Sequence, residues 1–171
     1  MPASSGQANL VRCCGYFRCE VIDCGRLDNP PAHGGPTMRF FFYGTLLDDE
    51  IRRIVVGRAV AITGATLMGW RRLAAAGKHY PFIQADAAAS VEGAVTDRLG
   101  TRDIARLRHY EGDGYELIAA EVRERGGAHI AVQVFVPPEG HLIGAGEWNL
   151  SDWQREHRAG VLGRLAAYRW P

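Results

Sequence analysis

A short aromatic run at residues 38–43 constrains the fold most strongly, because it is almost entirely apolar and stops abruptly at Gly44. Consecutive aromatic residues without polar alternation are typical of a buried strand. Glycine has no side chain, so the chain after Gly44 can present its backbone N–H groups without obstruction. The run therefore predicts a core strand that ends in a turn with accessible polar backbone.

Further segments supply the rest of a sheet. Val91, Gly93 and Val95 alternate with a second set of residues, as expected for a strand with two different faces. The pair Gly126-Gly127 separates two strand-like segments and predicts a hairpin. The predicted strands after the aromatic run are 60–70, 72–76, 82–85, 91–97, 117–123 and 129–136.

Two or three helices accompany these strands. Asp48 and the two acids after it open a short helix that ends at Gly57, and residues 101–110 form a second helix with Thr101 as N-cap. Ser151 and Gln154 have the spacing of a capping box, so a third helix is predicted to follow. Helices and strands do not alternate as βαβ units, so the sequence predicts an α+β domain with a small mixed, barrel-like sheet.

The chain divides into three segments on composition. Residues 1–37 end in a proline- and glycine-rich stretch and are expected to be a disordered or extraneous tail; all four cysteines lie in their first 24 positions. The spacing of these cysteines does not match paired zinc ligands, so we expect no metal site. The domain is predicted to span 38–147, with a C-terminal helix at 148–171 packed on it.

Charge and hydropathy exclude several kinds of partner. The formal net charge of +1 gives no electrostatic reason to bind nucleic acid or an anionic membrane. No apolar run reaches the roughly 18 residues of a membrane span, and the first 37 residues lack the apolar core of a secretory signal. We therefore expect a cytoplasmic protein. The oligomeric state stays open.

Glu111 is an isolated carboxylate at the predicted end of a helix, between Tyr110 and Gly112. A helix C-terminus disfavours negative charge by about 0.3–1 kcal/mol, and a residue in an unfavourable place suggests function. The alternative is a solvated helix-end residue. Glu92 is the competing carboxylate, but its place in a strand opposite Val91 and Val95 predicts that it faces the surface.

The residues around these positions resemble the gamma-glutamylcyclotransferase-like family, which includes gamma-glutamylamine cyclotransferases and a plant avirulence-induced branch. The resemblance covers residues 38–136 and fades after Val136. The matching segments are Phe41-Phe42-Tyr43-Gly44-Thr45-Leu46, Tyr80-Pro81-Phe82-Ile83, Val91-Glu92-Gly93-Ala94-Val95 and Leu107-x-x-Tyr110-Glu111-Gly112-x-x-Tyr115.

This resemblance implies a small barrel-like fold and an acyltransferase that releases 5-oxoproline from a gamma-glutamyl compound without a cofactor. It implies Glu111 as the catalytic acid and base, and substrate binding by Tyr43, Gly44, Thr45 and Leu46. The leaving group is an amine, an amino acid or a peptide.

Chemical reasoning about the residues agrees with these roles. In ring closure the substrate's own α-amine attacks its γ-carbonyl, so the site has to fold the substrate and move protons. A carboxyl group with a pKa of about 4.3 is a poor base at neutral pH. We therefore expect an apolar wall to raise the pKa of Glu111, with Tyr110, Phe82 and residues 40–42 as its members. The hydroxyl groups of Tyr43 and Tyr115 are candidate substrate contacts.

Two other functions remain open from the sequence. One is a non-catalytic small-molecule binder with the same fold. The other is an interaction module that uses the C-terminal helix, with Trp153 and Trp170 as exposed anchors.

Overall fold

The computed structural model describes residues 37–140, 144 and 146–171, and within them the chain is an α+β domain, as predicted. The predicted tail and its cysteines lie outside the described residues, apart from Thr37. In chain order the elements are β1 (Phe41–Phe42), α1 (Asp49–Val56), β2 (Ile62–Ala74), β3 (Pro81–Thr96), α2 (Thr101–Glu111), β4 (Glu116–Glu124), β5 (His129–Val136), α3 (Leu150–Glu156) and α4 (Arg158–Ala166).

The five strands form one sheet in the order β1-β3-β2-β4-β5, and all neighbouring strands are antiparallel. Phe40, directly before β1, makes a parallel bridge to Gln133 of β5. The backbone N–H of Gln133 donates to the carbonyl oxygen of Arg39 at 2.8 Å. The sheet therefore curls until its two edges meet at one point. Among the described strand pairings, this bridge is what makes the sheet mixed.

The aromatic run is apolar throughout because both of its faces are buried. Phe40 and Phe42 belong to a cluster that packs against α1, α2 and the C-terminal helices, whereas Phe41 and Tyr43 belong to a second cluster within the curled sheet. Successive side chains of an extended chain point to opposite faces, so four consecutive residues serve two cores.

Gly93 permits this close packing. A Cβ atom at Gly93 would lie 2.3 Å from the carbonyl oxygen of Phe42 and 2.5 Å from the ring of Phe41. Any larger residue would therefore force β1 away from β3.

The two long strands β2 and β3 replace four shorter strands that the sequence predicted. Met68 pairs with Ser90 and Trp70 pairs with Ala85, so residues 86–89 bulge opposite Gly69. Gly69 has a φ of 79°, which favours glycine. The predicted break therefore exists as a bulge, and the ladder continues on both sides of it.

The helix termini differ from the prediction at two caps. Asp48 caps α1 and Gly57 ends it, as predicted, but α2 begins after Gly100 rather than Thr101. The N-cap of α3 is Asn149. Its Oδ1 accepts hydrogen bonds from the backbone N–H groups of Ser151 at 2.8 Å and Asp152 at 3.2 Å. Gly100 and Asn149 are thus the caps that the sequence pattern missed.

The C-terminal segment forms two helices, α3 and α4, divided at His157, so the described residues contain four α-helices rather than two or three. Trp153 is buried, so the interaction module with Trp153 as an exposed anchor is wrong. Among the described residues, no helix combines the length and the apolar character needed to cross a membrane.

Candidate active site

A cavity of about 420 Å³ opens between the end of β1, the loop before β3, the end of α2 and the C-terminal helices. All six residues that the sequence singled out line this one cavity. They are Tyr43, Gly44, Thr45, Leu46, Glu111 and Tyr115. The first four of these residues are at least 65 positions away from Glu111 and Tyr115 in the chain, and the fold brings the two groups together.

The turn after β1 forms one wall of the cavity. Thr45–Leu47 is a single 3₁₀ turn, closed by hydrogen bonds from Leu47 and Asp48 back to Gly44 and Thr45. The N–H groups of Thr45 and Leu46 precede these bonds, and no acceptor for them is found among the described residues. They are donors that the turn can offer to a ligand.

Gly44 is required here by a close approach. A Cβ atom at this position would lie 2.9 Å from Cγ of Pro81, the first residue of β3. The turn and the start of β3 therefore pack directly against each other, and Pro81 itself lines the cavity.

Tyr43 is held at both ends. Its hydroxyl group donates to the carbonyl oxygen of Phe135 at 2.8 Å, and its own carbonyl oxygen accepts from Arg72 at 2.9 Å. The guanidinium of Arg72 also stacks over the ring of Trp148, 5.4 Å from its centroid. Since the Tyr43 hydroxyl proton is already donated, this group can accept a hydrogen bond from a substrate but has no proton left to donate.

Glu111 is the last residue of α2, and Gly112 follows it with a φ of 77°. The residue keeps some accessible surface because it lines the cavity, while its carboxyl group is surrounded by protein. Burial raises the pKa of Glu111 from 4.5 to about 7. At neutral pH both protonation states are therefore populated, as a group that accepts and then returns a proton requires.

The tyrosines around Glu111 remain protonated. Burial raises the pKa of Tyr110 to about 12. Burial, followed by the negative charge of Glu111, also raises the pKa of Tyr43 and Tyr115. The charge on Glu111 thus acts on tyrosines from two other segments of the chain, and all three residues line the same cavity as the turn.

A side-chain hydrogen bond joins α2 to the turn. The hydroxyl groups of Tyr110 and Thr45 lie 2.8 Å apart. The position of Glu111 relative to the turn is therefore fixed by its neighbour in the chain.

The apolar wall is composed differently from the prediction. Phe41, Phe42 and Tyr110 line the cavity, and Phe135 of β5 joins them. Phe40 and Phe82 are buried but do not line the cavity. Phe40 lies further from the turn along the chain than Phe41 and Phe42, and Phe135 comes from a strand that the motifs did not include.

The sequence analysis missed the contribution of the C-terminal helices, which line the cavity with four residues: Trp153, Val161, Arg164 and Leu165. The spacing of Trp153, Val161 and Leu165 by eight and four residues indicated only a packed face. His79 also lines the cavity, and its ring stacks on His157 with the centroids 3.9 Å apart.

Asp48 holds the C-terminal helices in place. Its Oδ1 caps α1, while its Oδ2 accepts from Arg158 and from Gln154, both at 2.7 Å. Arg158 also pairs with Glu50 at 2.7 Å. Burial by itself would raise the pKa of Asp48, but these hydrogen bonds lower it overall. Since Asp48 directly follows the turn, the network ties the helices to the cavity wall.

Glu92, the competing carboxylate, is exposed on β3 and accepts a hydrogen bond from Thr66 at 2.8 Å. Within the part of the chain that the structure describes, no cluster of three or more potential metal ligands is present.

Comparisons with known proteins place this geometry in context. A family model described as gamma-glutamyl cyclotransferase, AIG2-like, matches residues 40–150. The AIG2-like protein A of Arabidopsis thaliana is 29% identical over 122 residues, which cover 69% of this chain and 73% of that protein.

Solved structures agree on the fold. A solution structure of an Arabidopsis thaliana protein superposes with a TM-score of 0.60 at 25% identity, covering 75% of this chain and 87% of that one. A structure named gamma-glutamyl cyclotransferase superposes with a TM-score of 0.58 at 16% identity, covering 78% and 89% of the two chains. This chain belongs to the gamma-glutamyl cyclotransferase, AIG2-like family.

Proposed function

We propose that this protein is a gamma-glutamyl cyclotransferase that releases 5-oxoproline from a small gamma-glutamyl compound, with Glu111 as its general base and acid. One observation carries the proposal: a buried carboxyl group with a pKa of about 7 shares a cavity with the turn after β1. Membership of the family supports the same reaction.

In the first step the Glu111 carboxylate takes a proton from the substrate's α-ammonium group. The free amine then attacks the γ-carbonyl carbon, a C–N bond forms, and the carbonyl oxygen becomes negatively charged. The N–H groups of Thr45 and Leu46 are the candidate donors to this oxygen. Because nucleophile and carbonyl belong to one molecule, orientation within the cavity supplies much of the rate acceleration.

In the second step the leaving nitrogen takes the proton from Glu111, and its bond to the γ-carbon breaks as the carbonyl group re-forms. The ring nitrogen still carries one surplus proton, which the ionised Glu111 takes and passes to the released amine. The products are 5-oxoproline and an ammonium ion, and Glu111 is again ionised. Atoms and charges balance without a water molecule or a redox partner, so the reaction needs no cofactor. Protonated Tyr110 and Tyr115 keep the surroundings of Glu111 free of a second negative charge.

The test is incubation of the full chain with a panel of gamma-glutamyl amides and detection of 5-oxoproline. Glu111→Gln should abolish turnover without loss of folding, because an amide of the same shape cannot accept the proton. Glu92→Gln, which removes an exposed carboxylate, should change turnover little. Equal activity of wild type and both variants would show that Glu111 is not catalytic. Binding of gamma-glutamyl compounds without any turnover would instead support the non-catalytic binder.

A further inference from the structure

Arg164 is a cation in the cavity wall that the proposed ring closure does not use. Val161, Arg164 and Leu165 lie on one face of α4, since residues three and four positions apart are neighbours on a helix surface. All three line the cavity. Two apolar side chains therefore flank a guanidinium group on one wall.

The backbone that carries Arg164 is firmly held. Arg158 begins α4 and pairs with the buried Asp48, and Leu165 is buried beside Arg164. The place where the Arg164 side chain leaves the helix is therefore defined relative to the turn that Asp48 follows, and the side chain itself is exposed at the cavity mouth.

The charge of Arg164 is not used by another group in the described part of the chain. There, no carboxylate pairs with Arg164, whereas Arg155 and Arg158 of the same two helices each pair with two. Its charge nevertheless acts within the cavity. The pKa of the Tyr110 hydroxyl group depends first on burial, then on the Thr45 hydrogen bond and on Glu111. The charge of Arg164 is a smaller influence, and it lowers this pKa.

Arg164 does not serve Glu111. Burial alone accounts for the raised pKa of Glu111, and a cation close to this carboxyl group would lower that pKa. The guanidinium thus lines the cavity and influences Tyr110 without acting on the reacting carboxylate. Lys78 also lines the cavity, but it extends from the exposed loop before β3 and offers a point charge rather than a planar fork.

A gamma-glutamyl substrate has two ends with different places in this cavity. The proposed function requires the γ-carbonyl to lie beside Glu111 and the turn. On the basis of that function, we propose that the leaving group extends towards the exposed mouth, that Arg164 binds a carboxylate on it, and that the substrates are gamma-glutamyl α-amino acids with an apolar side chain against Val161 and Leu165. Guanidinium and carboxylate form paired hydrogen bonds in a fixed geometry, which gives selectivity over plain amines.

The experiment measures binding in the full chain carrying Glu111→Gln, so that ligands remain intact. The two probes are γ-glutamyl-leucine and γ-glutamyl-isoamylamine, which differ only by the leucine carboxylate. Adding Arg164→Met should raise the Kd of the leucine compound about tenfold, the effect expected for loss of one charged hydrogen-bond pair at an exposed site. The Kd of the isoamylamine compound should change less than about twofold. Arg164→Lys should restore part of the lost affinity, because it keeps the charge.

Matched controls separate recognition from structure. Arg169→Met removes an exposed cation from the same tail that does not line the cavity, and it should leave both affinities unchanged. Arg164 lies in the last turn of α4, where a positive charge stabilises a helix. If this were its only role, Arg164→Met would weaken the binding of both ligands equally.

Equal weakening of both ligands, or no effect of Arg164→Met, would overturn the inference. If wild type releases 5-oxoproline from both compounds with equal kcat/KM, this inference fails while the proposed function stands. If neither compound binds or reacts but another gamma-glutamyl amide of the panel yields 5-oxoproline, the inference alone fails. If no compound of the panel binds or reacts, the proposed function is wrong as well.

Discussion

Replacing Glu111 by glutamine should stabilise the protein, and the gain should depend on pH. The pKa of this carboxyl group rises from 4.5 in the unfolded chain to about 7 in the fold. The folded protein therefore holds its proton over a range in which the unfolded chain has lost it. Stability from this group is complete below pH 4.5, decreases as the pH rises and reaches its minimum once the pH passes about 7.

The size of the effect follows from these two pKa values. Their difference corresponds to about 3 kcal/mol, since one pKa unit is about 1.4 kcal/mol. Glu111 lines the cavity, where water screens its charge, so we expect about 2–3 kcal/mol. Glutamine has the shape of the protonated acid and does not ionise, and it therefore avoids this loss.

The assay is urea unfolding of wild type and Glu111→Gln at pH 4.5 and pH 8. The two proteins should be equally stable at pH 4.5, and the variant should be more stable by about 2–3 kcal/mol at pH 8. Glu92→Gln serves as the control, because Glu92 is exposed, and should show no such gain. A glutamine variant that is less stable at pH 8, or whose difference from wild type is the same at both pH values, would refute the reasoning.

Four further predictions concern the site and its support. The kcat for 5-oxoproline release should fall as the pH drops below about 7, because protonated Glu111 cannot accept a proton; a flat pH–rate profile would contradict this. Gly44→Ala should lower turnover, since its Cβ would lie 2.9 Å from the ring of the proline that begins β3. Gly100→Ala, which meets nothing within 4 Å, is its control, and equal activity of the two variants would refute the steric argument. Gly93→Ala should destabilise the fold by about 2–3 kcal/mol through overpacking against β1; an unchanged Tm would show that β1 yields easily. Asp48→Asn should cost about 1–3 kcal/mol at pH 7. That loss should shrink as the pH falls below 3.8, because protonation removes the same charge from wild type; a loss that is constant with pH would contradict it.

Local chemistry in the sequence predicted much of the site. Gly44 and Glu111 each lie where a regular element stops, and the residues around them matched a family pattern in the right order. Cap and turn preferences act over a few residues, so the acidic start of α1 and its end at Gly57 were also predictable. That one cavity gathers these residues follows from the fold that the pattern implied.

Long-range packing explains what the sequence did not predict. The bulge opposite Gly69 joins segments that look like separate strands, because a ladder can continue past unpaired residues. Val161 and Leu165 follow a helical stripe, and such a stripe does not reveal whether its apolar face meets a core or a cavity. The capping-box spacing of Ser151 and Gln154 was misleading, because Gln154 instead reaches Asp48, more than 100 residues away.

The two roles of Asp48 have a consequence for chains of different length. Removing α3 and α4 would leave a buried carboxylate oxygen without its two donors, directly behind the turn that lines the cavity. A shortened protein would therefore differ by more than a wider cavity mouth, because the turn in the cavity wall would be destabilised as well. Relatives that lack these helices should carry a different residue, or different donors, at the corresponding position.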